Sequence, residues 1–246
     1  MNRYSSLDGL RRRLDTVRPL PIEVIRNLRE DLVLRWTYHS NAIEGNTLTL
    51  KETKVVLEGI TIGGKTLREH FEVINHREAI LYVEELVAEG GVLTETQIKA
   101  IHRLVLSSID EDHAGVYRNT NVIISGAEHR PPDALQVMSE MQAFLAWYHN
   151  EGQALHPVER AARVHVDFFR IHPFVDGNGR TARLLMNLEL MKSGFPPVIM
   201  PVEKRLDYYE ALDTAHTRSD YEPFLALVTE IVESAFLPYW HALGMK

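Results

Sequence analysis

Along most of the chain, apolar residues recur at three- and four-residue spacing, which predicts amphipathic helices. Three runs open with a Thr followed three residues later by Glu or Gln, the pattern of a capping box. They are Thr49 with Glu52, Thr66 with Glu69, and Thr94 with Gln97. Behind them come Val55 and Val56, then Phe71, Ile74 and Ile80, then Ile98, Ile101 and Leu104. Gly63-Gly64 and Gly90-Gly91 mark the breaks between these runs. An earlier helix begins near Pro21, since proline is tolerated in a first turn. It carries Ile22, Ile25, Leu28 and Leu32 towards Trp36 and ends about Glu44, where Gly45-Asn46 is a good stop. Later helices are predicted over 132–150, 157–171, 180–193, 204–217 and 222–243. The stretch 115–131 breaks the rhythm: Val116-Tyr117 and Val122-Ile123-Ile124 flank Asn119-Thr120-Asn121 and predict a short β-hairpin. The expected fold is all-α with one small β-hairpin. No linker separates residues 1–90 from residues 91–246, so the first part is read as an extension packed on the second.

Composition narrows the picture without changing it. The 246 residues are 45% hydrophobic and 25% charged, an ordinary globular balance. Cysteine is absent, which excludes disulfides, thiolate zinc sites and a cysteine nucleophile together. A net charge of −7 argues against a general nucleic-acid binder. No apolar run approaches the ~20 residues of a membrane helix, and the polar start MNRYSSLDGLRRRLD does not resemble a secretory signal. The expectation is a soluble, cytoplasmic protein with no membrane partner.

The chemistry concentrates in His172-Pro173-Phe174-Val175-Asp176-Gly177-Asn178-Gly179-Arg180-Thr181-Ala182-Arg183. Pro173 ends the preceding helix at His172. Gly177-Asn178-Gly179 permits positive φ and a close approach of backbone N–H groups to a ligand. A new helix is expected from about Arg180, with Arg180 and Arg183 on one face of its first turn. Cations there oppose the helix dipole, so an anion bound between them and the helix end is the natural resolution. Guanidinium forks suit phosphate oxygens, Asp176 beside them suits Mg²⁺, and His172 suits a general base. The alternative is structural: the arginines pair with carboxylates such as Asp167 or Glu189, and His172 is half-buried scaffolding. From spacing alone the two readings stand about level, because short motifs match by chance.

This segment resembles the signature of the Fic family, H-P-F-x-[D/E]-G-N-G-R-x-x-R, with every defined position filled. The similarity extends from about Gly115 to Phe224 and in weaker form back to Pro21. It implies a Fic-type helical bundle whose small β-hairpin is a flap, with a catalytic core over 91–246. It also implies transfer of AMP from ATP to a Ser, Thr or Tyr hydroxyl of a target protein. In that comparison His172 is the base, Asp176 holds Mg²⁺ (or Mn²⁺), Gly177, Asn178 and Gly179 form an anion hole, and Arg180 and Arg183 contact phosphates. Val122, Ile123 and Ile124 become the flap on which the target docks, and Tyr208 and Tyr209 stand near the adenine. His216 departs from the asparagine of similar members, which leaves nucleotide choice less secure. Ser40-Asn41-Ala42-Ile43-Glu44-Gly45-Asn46 resembles the family's inhibitory motif, [S/T]-x-x-x-E-[G/N]. The resemblance implies that Glu44, one turn from Ser40 on the same helix face, pairs with Arg183 and keeps ATP from binding productively.

Three functions follow from these residues: an autoinhibited protein adenylyltransferase, a hydrolase that removes AMP at the same site with Glu44 orienting water, and a non-catalytic nucleotide-sensing scaffold. The scaffold reading predicts loss of His172 or Asn178, and both are present. A homodimer built through the first 90 residues stays open at this point.

Overall fold

Helix order in the computed structural model, which describes residues 3–245, follows the capping signals. The helices are α1 (Ser5–Asp15), α2 (Ile22–Ile43), α3 (Leu50–Leu57), α4 (Leu67–Glu89), α5 (Glu95–Leu106) and α6 (Val137–His149). After them come α7 (Pro157–Ile171), α8 (Asn178–Lys192), α9 (Arg205–Arg218), α10 (Glu222–Ser234) and α11 (Leu237–Ala242). All three capping boxes form as expected, at the starts of α3, α4 and α5. Residues 1–2 and 246, the outermost positions of the two expected regions, lie outside the description.

Four expectations need correction. The pattern reading passed over α1, although Leu7 and Leu14 are buried on one face, because Arg11-Arg12-Arg13 make the segment read as polar. The run 222–243 is two helices, since Pro238 lacks an N–H and its ring clashes with the carbonyl four residues back. Helix α8 starts at Asn178, two residues before Arg180. Residues 115–131 contain no strand; among the described residues there is none. Local β-formers do not make a hairpin without ladder partners, and this loop is pinned otherwise. The Arg118 guanidinium donates to the carbonyls of Thr120 at 3.0 Å and Pro132 at 2.6 Å.

Helix α8 is the centre of the molecule, packed against α2, α4, α5 and α7. Every residue from Asn178 to Leu190 is buried, the pattern of a helix wrapped on all sides. One core runs through both parts of the chain, taking Trp36, Ile43 and Ile80 with Phe168, Leu184 and Val228. Two polar side chains in the second half of α8 are fully matched. Asn187 donates to the Val198 carbonyl at 2.8 Å and accepts the Val198 N–H at 2.7 Å. Glu189 takes Arg160 at 2.9 Å and the Tyr148 hydroxyl at 2.7 Å.

Asn187→Ala would leave both backbone groups of Val198 unpaired in a dry environment. Urea unfolding is expected to show a loss of roughly 2–4 kcal/mol, one desolvation penalty per orphaned group. An unchanged midpoint would mean that water reaches Val198.

Candidate active site

The loop between α7 and α8 begins with a residue that cannot stay helical. His172, facing Pro173, takes the left-handed conformation at φ 50° and ψ 58°. Its Nδ1 lies 3.3 Å from the Phe169 carbonyl. A carbonyl only accepts, so the ring proton sits on Nδ1 and Nε2 keeps its lone pair. Burial outweighs that carbonyl and the nearby Glu44, and lowers the His172 pKa to about 4. The ring is therefore a neutral base near pH 7.

The loop is shaped by residues turned inward. Asn178 accepts the Phe174 N–H at 3.0 Å and donates to the Phe174 carbonyl at 2.9 Å. Its amide thus closes the loop, leaving its backbone N–H for an anion. Phe174 is fully buried and stacks on His102, with centroids 3.5 Å apart. His102 accepts the Gly115 N–H at Nδ1 (2.9 Å), so Nε2–H donates to the Asp176 carbonyl at 2.8 Å. Gly177 has φ 75°, and a Cβ there would come within 3.2 Å of both His102 and Val105. Arg118 donates to the His172 carbonyl at 2.8 Å, and its backbone N–H to Pro173 at 2.9 Å. The sequence reading missed His102 and Arg118, since single residues in a helix and a loop carry no spacing signal.

The start of α8 has no side-chain cap. Gly177 is its N-cap and has no side chain to take the first N–H groups. Because α8 begins early, Arg180 lies in the first turn and Arg183 in the second. Arg180 is 2% exposed, with Asp176 and Glu72 both at 3.5 Å, and its Nε and Nη1 have no hydrogen-bond partner. Such a group is short of an anion. Arg183 is as deeply buried but fully engaged: Nε to Ser40 Oγ at 3.0 Å, Nη2 to the Ser40 carbonyl at 2.9 Å and Glu44 at 2.6 Å, Nη1 to Tyr208 at 3.1 Å. Burial works against its charge, and the Tyr208 oxygen and Glu44 outweigh that. Neither arginine uses the carboxylates named as the structural alternative. Asp167 takes the Tyr221 hydroxyl at 2.7 Å, and Glu189 takes Arg160.

A cavity of about 740 Å³ opens over this loop, lined by Glu44, His172, Asp176 and Gly177-Asn178-Gly179. Ile123, Ile124, Tyr209 and His216 also line it, whereas Val122, Ser40, Arg180 and Arg183 do not. Tyr208 is a correction to the adenine expectation. It is wholly buried, with its hydroxyl between Arg183 and His165 Nε2 at 3.0 Å, so it backs Arg183 and does not face a base. His216 is held by the Val166 carbonyl at 3.0 Å, and burial lowers its pKa to about 4.

Asp176 fits a hard divalent cation. Burial would raise its pKa, but Arg180, the Gly177 N–H and Arg68 prevail and keep it below its usual value. Its side chain is 42% exposed. Among the described residues, no group of three His, Asp or Glu side chains could hold a metal alone. An ion here would complete its shell with water and phosphate oxygens, as Mg²⁺ commonly does.

The description of the Fic/DOC family matches residues 92–190. A protein adenylyltransferase Fic of Nematostella vectensis is 44% identical over 205 residues, 82% of this chain and 47% of its own length. The chain thus spans about half of that relative. Fic-1 (residues 134–508) of C. elegans superposes with a TM-score of 0.87 at 36% identity, over 97% of this chain and 71% of that one. A Fic domain containing signaling protein of Bacteroides thetaiotaomicron gives 0.89 at 28% identity, over 98% of both chains.

The His172 assignment is open to direct titration. Histidine-selective NMR, with His172→Ala to identify the signal, is expected to show the ring neutral down to about pH 4 and protonated only below it. A midpoint near 6.5 would mean the ring is solvated and not poised as described.

Proposed function

The chain belongs to the Fic/DOC family, and on that ground we propose that it transfers AMP from ATP to a hydroxyl of a target protein, with Glu44 holding it inactive at rest. One observation carries the reading: a neutral His172, the uncapped start of α8 and the carboxylate of Asp176 converge on one cavity. His172 Nε2 takes the proton of a Ser, Thr or Tyr hydroxyl, whose oxygen bonds to the α-phosphorus as the bond to the β-phosphate oxygen breaks and pyrophosphate leaves. The free N–H groups at the start of α8 receive the phosphate oxygens, and Arg180 supplies the unpartnered donors behind them. Mg²⁺ or Mn²⁺ at Asp176, when bound, would offset charge on the α- and β-phosphates.

Glu44 explains the resting state. A Cβ on Gly179 would collide with its carboxylate, so the carboxylate lies directly on the start of α8 while holding Arg183 at 2.6 Å. It occupies the position of an anion and withholds a phosphate donor at once. The cavity rim is apolar and exposed at Ile123 (73%), Val175 (39%) and Leu206 (76%), a surface suited to a protein segment. The target lies in extended form along Val122, Ile123 and Ile124, and Tyr209 stacks on the adenine. Residues 1–90 act as the regulatory extension of the core at 91–246. Among the described residues no helix is long and apolar enough to cross a membrane. A second reading, hydrolytic removal of AMP, is favoured by Glu44 itself, which is 30% exposed and shares the cavity wall with His172.

With α-labelled ATP and Mg²⁺, faint protein labelling is expected for the wild type and at least roughly tenfold more for Glu44→Gly. Glu44→Gly/His172→Ala should lose that gain, since a general base contributes about 10²–10⁴ in rate. Ser40→Ala removes one of Arg183's hydrogen bonds and should give a smaller rise. Should Glu44→Gly stay unlabelled while the wild type strips AMP from a modified protein, the hydrolase reading replaces this one.

A further inference from the structure

Both carboxylate oxygens of Asp176 are engaged, and one partner comes from far along the chain. Oδ1 accepts the Gly177 N–H at 2.6 Å and faces Arg180. Oδ2 is ion-paired with Arg68 Nη2, from the first turn of α4. The Arg68 side chain is 55% exposed, and its Nε also reaches Glu72 at 3.2 Å. Glu72 in turn accepts from the Asn46 amide at 2.9 Å, in the turn that follows Glu44.

We propose that Arg68 is a positioning residue that holds Asp176 in place of a divalent cation and competes with that cation for Oδ2. The proposal rests on reading Asp176 as the metal-holding carboxylate. Oδ1 is fixed by a backbone N–H inside the loop, so a metal ion must approach Oδ2. A guanidinium and a divalent cation cannot occupy the same oxygen face, because like charges in contact repel strongly. Arg68 can yield, since an exposed ion pair is worth little. Its Nε keeps it tethered to Glu72 while the Nη2 end swings away. While it stays, Arg68 keeps the carboxylate charged and oriented, and occupies the cation's position. The second half of the tether, Glu72 to Asn46, links that swing to the turn carrying Glu44, so the metal end and the inhibitory end of the site share one hydrogen-bonded strut.

Mn²⁺ titration of the full chain, followed by electron paramagnetic resonance at fixed ionic strength, tests this without any turnover. Arg68→Gln is expected to bind Mn²⁺ about fivefold more tightly than wild type, the upper end for loss of one exposed pair. Arg68→Lys keeps the charge but cannot span Glu72 and Asp176 as a fork, and should fall between the two. Equal affinity in all three proteins, or weaker binding in Arg68→Gln, would overturn the proposal. Asp176→Asn is the check on its premise. If that variant binds Mn²⁺ as the wild type does, the metal assignment of Asp176 has failed, and the role of Arg68 with it. Circular dichroism of each variant establishes that the comparison is between folded proteins.

Discussion

A guanidinium in the second turn of a fully buried helix is the constraint around which this molecule is arranged. Arg183 is 2% exposed, so its charge is held without solvent. It is tolerated because the other end of a second helix is brought against it. α2 finishes beside Arg183, and the Ser40 carbonyl, the Ser40 hydroxyl and the Glu44 carboxylate all accept from the same fork. The C-terminal end of one helix thus supplies the acceptors for a charge buried in another. Much else follows from that meeting. Glycine at 179 leaves room for the Glu44 carboxylate, which a side chain there would push aside. The turn after α2 has to be anchored, and Asn46 fastens it to α4 through the Glu69 carbonyl at 3.0 Å.

The two arginines of α8 are a contrast in satisfaction. Every nitrogen of the Arg183 guanidinium has a partner, whereas Arg180 is equally buried and has only distant carboxylates. A charge left short of acceptors in a rigid core is costly, and it persists here beside a helix start that no side chain caps. The loop that presents these donors is itself over-determined, by the Asn178 clamp on Phe174, the His102 bond to Asp176 and the Arg118 bond to His172. Preorganised donors of this kind need no rearrangement when charge develops in front of them.

How much of this was legible in the sequence depended on whether the determining contact was local. Thr49, Thr66 and Thr94 announced their helices because a capping box is closed within four residues. Segment 172–183 was legible because its residues are contiguous and their order sets a turn followed by a helix. The hairpin at 115–131 was not, because strand pairing depends on partners that local propensity does not supply. His102, Arg118 and Arg68 act across 74, 54 and 108 residues, and nothing near them in the chain hints at it. Tyr208 and Tyr209 show the finest limit. Adjacent residues on a helix point about 100° apart, so one lines the cavity and the other backs Arg183, and only packing decides which.

Tyr208 gives the arrangement a property of its own. Its hydroxyl holds Arg183 from the side away from the cavity and is itself held by His165, deep in the core. With the two Ser40 contacts, the fork keeps three of its four hydrogen bonds if the Glu44 side chain alone turns aside. Were Glu44 the inhibitory residue proposed above, its release would leave those contacts and the core packing around them in place. On the proposed inhibitory reading, freeing Arg183 would take the rotation of one side chain, itself 30% exposed. A partner acting on such a site would have to hold a single carboxylate aside, with nothing in the core to rebuild.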